Sequence, residues 1–149
     1  MRTTTLSGLA GFATALGLLF GAAPGAAAAA ADPTIELPDS GDLLADGAGA
    51  SVTVTFQCEA GQSYNMFVEL SQAVGEGRTA SGAGFAGPGT CTGNAQTEEL
   101  LVLAGGGFFA FRDGDAVART SLSVCPSEQQ MCSQAMDSGV LELREALED

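Results

Sequence analysis

An all-β fold follows from three observations on the sequence. Segments of apolar and polar residues alternate with period two, as in Ser51 to Cys58 and Ala116 to Cys125. Turn clusters rich in Gly, Asp, Asn and Pro separate these segments at short intervals. No long stretch carries the three-to-four spacing of an amphipathic helix. Alternation between turns is the signature of half-buried strands, and many short strands without helices make an antiparallel β-sandwich domain.

The elements read in order as follows. Thr34 to Leu37 is a short first strand ended by Pro38, and Asp39-Ser40-Gly41-Asp42 is a turn cluster, with Leu43-Leu44 at the core edge. In Ser51 to Cys58, Val52, Val54, Phe56 and Cys58 face inward. Tyr64 to Gln72 turns Tyr64, Met66, Val68 and Leu70 to one face, interrupted by Phe67 on the other. Gly75-Glu76-Gly77 is a turn. Arg78 to Phe85 is a strand of small residues whose glycines point to an edge, a bulge or close contact with another chain. Gly87-Pro88-Gly89 interrupts, and Thr97 to Leu103 is apolar on both faces, as expected of an interior strand. Arg112 to Asp115 is a turn, and Ala116 to Cys125 points Ala118, Thr120, Leu122 and Val124 inward. Pro126 to Ser138 reads as a polar loop and Val140 to Arg144 as the last strand, with a short helix from Val140 to Leu147 as the rival. The count is about seven strands, the pattern of an immunoglobulin-like antiparallel β-sandwich. Its bulky core candidates are Phe56, Tyr64, Phe67, Phe108, Phe109 and Phe111, since the chain has no Trp.

Residues 1–31 have the order of a secretory signal peptide: Arg2, an apolar run from Leu6 to Phe20, a break at Pro24-Gly25, and overlapping A-x-A sites ending between Ala28 and Ala31. The expected mature chain, 32–149, is one secreted domain with its core about 50–144. The apolar run is too short for a membrane span of about 20 residues, so no membrane partner is expected after cleavage. Mature, the chain holds all 18 acids against four arginines (Arg78, Arg112, Arg119, Arg144), a net charge of −14. Such a charge repels nucleic acid and anionic lipid and favours solubility.

The chain has no His and no Lys. Ser-His-Asp and Cys-His nucleophilic sites, Schiff-base lysines, Walker loops and His-containing zinc sites cannot be built from it. Glu98 and Glu99 are strand neighbours on opposite faces and cannot flank one glycosidic bond. Asp113-Gly114-Asp115 lacks the further oxygens of a calcium loop and reads as a turn. No catalytic residue, metal or cofactor is expected. The remaining candidate is Gly105-Gly106-Gly107-Phe108-Phe109-Ala110-Phe111, where Phe108, Phe109 and Phe111 form either a hydrophobic contact patch or part of the core.

Four cysteines in an exported domain imply two disulfides. Cys125 and Cys132 flank a loop between two expected antiparallel strands. Their pairing leaves Cys58 for Cys91; the rival is Cys58–Cys125, a bridge between sheets, with Cys91–Cys132.

The order Val52-Thr53-Val54-Thr55-Phe56-Gln57-Cys58, Leu70-Ser71-Gln72, Gly77-Arg78, Ala80-Ser81-Gly82, Cys91-Thr92-Gly93, Phe111-Arg112 and Cys125…Cys132 resembles a group of small exported actinobacterial proteins over about residues 50–144. The abundance of Ala and Gly and the lack of Lys agree with a GC-rich source. The resemblance implies an immunoglobulin-like sandwich with two disulfides and no assigned activity. In a general way the chain is also similar to the enediyne apoproteins of the neocarzinostatin type, although that family closes a short loop where Cys58 and Cys91 lie 33 positions apart. The expected function is a secreted non-enzymatic binding or interaction module for a protein or a small hydrophobic ligand. The alternatives are a small-molecule carrier and a cell-surface structural protein.

Overall fold

The computed structural model describes residues 32–105, 109–126 and 131–146. The expected signal peptide, residues 1–31, lies outside them. Eight strands follow in chain order: β1 (Thr34–Glu36), β2 (Ser40–Leu44), β3 (Gly49–Gln57), β4 (Ser63–Gly75), β5 (Arg78–Thr90), β6 (Gln96–Ala104), β7 (Gly114–Cys125) and β8 (Ser133–Glu145). No helix occurs among the described residues.

The sheet is a closed barrel and not the expected immunoglobulin-like sandwich. Seven strands form the ring β3-β2-β8-β7-β4-β5-β6, which returns to β3, and β1 lies on β3 beyond the end of β2. Two narrow seams close it. At one, β2 runs parallel to β8, from Ser40 opposite Glu142 to Leu43 opposite Glu145. At the other, β5 meets β6 at only two positions, Gly82 with Ala104 and Ala83 with Leu103. The rest is a broad antiparallel ladder, with β4 paired to β5 on one side and β7 on the other.

Glycine explains the second seam. Gly82 and Gly84 stand opposite Leu70 and Val68, both inward, so a side chain there would point into the barrel. A Cβ on Gly82 would lie 2.2 Å from the Leu103 carbonyl oxygen, and one on Gly84 2.6 Å from that of Leu101. The β6 backbone crosses directly over the inner face of β5, and only glycine leaves room. The close contact read from the small-residue strand is therefore with another strand of the same chain.

The core follows the alternation. Val52, Val54 and Phe56 of β3, Tyr64, Met66, Val68 and Leu70 of β4, Leu100 and Val102 of β6, Leu122 and Val124 of β7, and Leu141 and Leu143 of β8 are buried. Several expectations change. Ser40–Leu44, read as turn and edge, is a strand, because its backbone pairs with β3 and β8 at once. Ser133–Ser138, read as loop, belongs to β8, and residues 140–145 are strand rather than helix. The outward leucines of β6, Leu101 and Leu103, are half exposed, so that strand is apolar on an open face. Phe67 turns outward, where its ring packs 4.7 Å from that of Phe85.

Disulfides join Cys58 to Cys91 and Cys125 to Cys132, and there is no free cysteine. Of the two pairings left open by the spacing, the structure has the one with the local Cys125–Cys132 loop. In the chain-entropy picture the 33-residue closure is worth about 3–4 kcal/mol and the shorter one about 2.5 kcal/mol. Two such bonds are typical of extracellular proteins.

Candidate functional site

The outer face of β5, β4, β7 and β8 carries the most distinctive surface. Its strands are in register, so its outward side chains form rows. One row is Phe85, Phe67, Ser121, Met136; the next is Ala83, Glu69, Arg119, Ser138; the third is Ser81, Ser71, Val117, Val140. The outer row ends in two large exposed residues, Phe85 (77 %) and Met136 (78 %), while Val117 and Val140 are more than half exposed. Exposed apolar groups gathered in one place, rather than scattered singly, mark a contact surface.

A groove of about 650 Å³ runs along this face, lined by Glu69, Ser71, Ser81, Ala83, Val117 and Arg119, with Gly105 at its rim. The sequence builds it from below. The outward residues of β5 next to the groove are small, and Gly105, just past β6, donates its N–H to the Ser81 carbonyl oxygen at 2.7 Å. That bond ties the end of β6 to β5 beside Ser71 and Ser81. Thr120, buried beneath, donates its hydroxyl to the Phe67 carbonyl oxygen and fixes β7 against β4 under the aromatic pair.

The groove holds one acid and one base. Glu69 and Arg119 are direct cross-strand neighbours. Among the described residues the ion pairs are Arg78–Glu76 and Arg144–Glu142, and neither Glu69 nor Arg119 joins one. Both charged heads are exposed and available to a ligand.

Two phenylalanines of the aromatic segment that the sequence singled out are placed by the structure. Phe111 is buried, and its N–H donates to the Gly47 carbonyl oxygen at 2.8 Å. Phe109 is half-buried against the core, with the Arg78 guanidinium 5.3 Å from its ring centre. Phe108 lies outside the described residues. Gln72, buried on β4, clasps the following turn. Its amide donates to the carbonyl oxygens of Arg112 and Gly114, and its oxygen accepts the Arg112 N–H. These bonds latch the Arg112–Gly114 turn to β4 next to the buried Phe111.

The carboxylates are also accounted for. Glu98 points toward the inner side of β6 and accepts the Tyr64 hydroxyl at 2.9 Å. Burial, then that hydrogen bond, then the charge of Glu98 push the Tyr64 pKa above the ordinary tyrosine value. Glu99 points outward and accepts the Ser51 hydroxyl at 2.6 Å. A second, more polar groove near Leu43–Gly47 and Arg112–Asp113 includes Asp46 and Glu145. Among the described residues no group of three His, Cys, Asp or Glu side chains is arranged to hold a metal.

The outward apolar face was not singled out from the sequence. Its signal was present in Phe67, which breaks the alternation of β4, and in the apolar outward positions Phe85, Val117 and Val140. It becomes legible only once the register aligns them. No protein-family model matches the chain, and no curated protein matches it significantly.

Proposed function

We propose that the protein is a secreted, non-enzymatic binding module that engages its ligand on the outer face of β5, β4, β7 and β8. The groove along that face carries the reading. Its lining combines Val117 and Ala83, two serines and an exposed acid–base pair, and the exposed Phe85, Met136 and Val140 stand at neighbouring positions of the same four strands. Sites of this kind are concave, largely apolar and furnished with a few orienting polar groups. The two disulfides and the signal-like N-terminus support export, and the resemblance to small exported two-disulfide proteins agrees with it. The lack of His and Lys, together with Glu98 and Glu99 engaged on opposite sides of one strand, favours binding over catalysis.

Titrating an apolar anionic dye into the protein while following backbone amide shifts by NMR tests the reading. The expected shifts cluster at Glu69–Ser71, Ser81–Ala83 and Val117–Arg119, and Ala83→Trp abolishes them by filling the groove. Shifts confined to the groove near Leu43–Gly47, or none at all, would reject this face as the binding surface.

A second reading, a small-molecule carrier, is favoured by the groove volume, which lies within the roughly 300–1,000 Å³ of small-ligand sites. Native mass spectrometry of protein taken from its own culture supernatant separates the two readings. A bound non-covalent mass favours the carrier; a bare chain favours the interaction module.

A further inference from the structure

We infer that Asp137 is a built-in guard that keeps the open edge of β8 from pairing with a strand of another molecule. The guard belongs to the edge of the sheet and does not depend on what the outer face binds.

For most of its length β8 is paired along one side only. β7 follows it without a register shift from Ser133 to Leu143, whereas β2 joins its other side only from Glu142 to Glu145. The Glu142 N–H donates to the Asp39 carbonyl oxygen at 2.9 Å, so the N–H and C=O groups of even-numbered residues point away from β7. Those of Gln134, Met136, Ser138 and Val140 line an edge about 20 Å long. Among the described residues this edge has no backbone partner. Such a row of free groups is a template for another strand.

The usual protections lie elsewhere in the sheet. β1 is only three residues long, and β5 carries Pro88, which offers no N–H, beside a register shift. β8 is thirteen residues long and has neither proline nor register shift. Its outward side chains from Gln134 to Val140 are uncharged, and Met136 and Val140 among them are well exposed.

Asp137 supplies what the strand lacks. It stands opposite Thr120, whose side chain is buried, so it is an acid on the inward side of an edge strand. Its Oδ1 accepts the Ser138 N–H at 2.8 Å and its Oδ2 accepts the Leu37 N–H at 2.9 Å. One carboxylate thus occupies an N–H in the middle of the open edge and ties the chain just past β1 to it. An added strand would have to exchange that charged acceptor for a neutral carbonyl, and charge-assisted bonds are about twice as strong as neutral ones. It would also strip water from a half-buried anion. Gly139, the next inward position, has no side chain and nothing within 4 Å of where one would begin, so it adds no cover.

The test is sedimentation equilibrium of the secreted, disulfide-intact protein and its variants up to about 1 mM. Asp137→Ala is expected to self-associate at least about tenfold more tightly than the parent, since another copy is then the only strand on offer. Asp137→Asn, which keeps the shape and loses the charge, moves association the same way. In the associated protein the Met136 and Val140 amides gain protection from hydrogen exchange as concentration rises. Adding Ser138→Pro to Asp137→Ala returns association to the parent level, because it removes an edge N–H and leaves the ladder with β7 whole. Association through unfolding would instead be worsened by that proline. If neither Asp137 variant associates more tightly than the parent, the inference is overturned. It is equally overturned if the association survives Ser138→Pro or leaves the Met136 and Val140 amides exchanging as before.

Discussion

Replacing Gly82 with Ala adds one methyl group at the seam where β5 meets β6. The backbone at this position does not lie in the left-handed region, so the substitution carries no conformational penalty of its own. The cost is contact. The new Cβ would lie 2.2 Å from the Leu103 carbonyl oxygen and 2.9 Å from its carbon, where ordinary contact begins near 3.4 Å. The strands must separate by about 1.2 Å, which stretches ordinary backbone hydrogen bonds of about 2.9 Å beyond their useful range. The seam has only two register pairs, so it has no reserve. Losing about two hydrogen bonds at ~1 kcal/mol each, with about 1–3 kcal/mol of residual overpacking, is offset by less than ~1 kcal/mol from a stiffer unfolded chain. The net loss is about 2–4 kcal/mol, or roughly 10–20 °C in Tm for a domain of this size. Urea unfolding, with the slope unchanged, reads it directly. Gly139→Ala is the control. It also sits in a strand, but nothing lies within 4 Å of its added Cβ, so it should be neutral or slightly stabilising. A Gly82→Ala protein within ~0.5 kcal/mol of the parent would refute the argument that close strand crossing is what requires glycine here.

Gln72→Leu leaves the Arg112 N–H and the carbonyl oxygens of Arg112 and Gly114 without their partner, and should cost about 2–3 kcal/mol in denaturant unfolding. Gln72→Glu should cost more at neutral pH, because a carboxylate then faces two carbonyl oxygens. Tyr64 is the only tyrosine in a chain without Trp, so tyrosinate absorbance reports it alone. Its folded pKa is raised, so its contribution to stability is complete below the unfolded value near 10 and disappears as pH rises through the folded value. The titration midpoint should lie above 10 in the folded protein and move down in Glu98→Gln, while Tyr64→Phe should flatten the alkaline loss of stability. Replacing Cys58 and Cys91 together with Ser should lower stability by about 3–4 kcal/mol, and the same change at Cys125 and Cys132 by about 2.5 kcal/mol, measured under non-reducing conditions. Equal losses would show that loop length does not set the difference.

Strand positions and inward faces were legible wherever alternation was strong. Val52, Val54 and Phe56, then Met66, Val68 and Leu70, then Ala118, Thr120, Leu122 and Val124 all face inward as their spacing requires. Closure of the barrel was hidden because it depends on backbone contacts that carry no side-chain signature. Ser40-Gly41-Asp42 has the composition of a turn, yet its amides and carbonyls pair on both sides. Gly82 and Gly84 announce a close approach without saying which strand approaches. The proposed binding face was illegible for a related reason. Phe85, Phe67 and Met136 lie far apart in sequence, and only the registers of β5, β4, β7 and β8 set them in one row. The Phe108-Phe109-Phe111 segment drew attention by its composition, but composition does not distinguish an aromatic that seals a core, as Phe111 does, from one that meets a partner.

The parallel seam between β2 and β8 sets a timetable for folding. Residues 40–43 find their second neighbour only in residues 142–145, about a hundred positions later in synthesis. A chain growing from its N-terminus can assemble the β4–β5 hairpin early, because those contacts are local. The ring stays open until residues 142–145 are available, and contacts so distant in sequence form slowly. An N-terminal fragment lacking β8 therefore keeps one side of β2 and one side of β7 bare, two unpaired strand edges that invite association with other chains. Arrival of β8 is the event that turns an adhesive sheet into a sealed one.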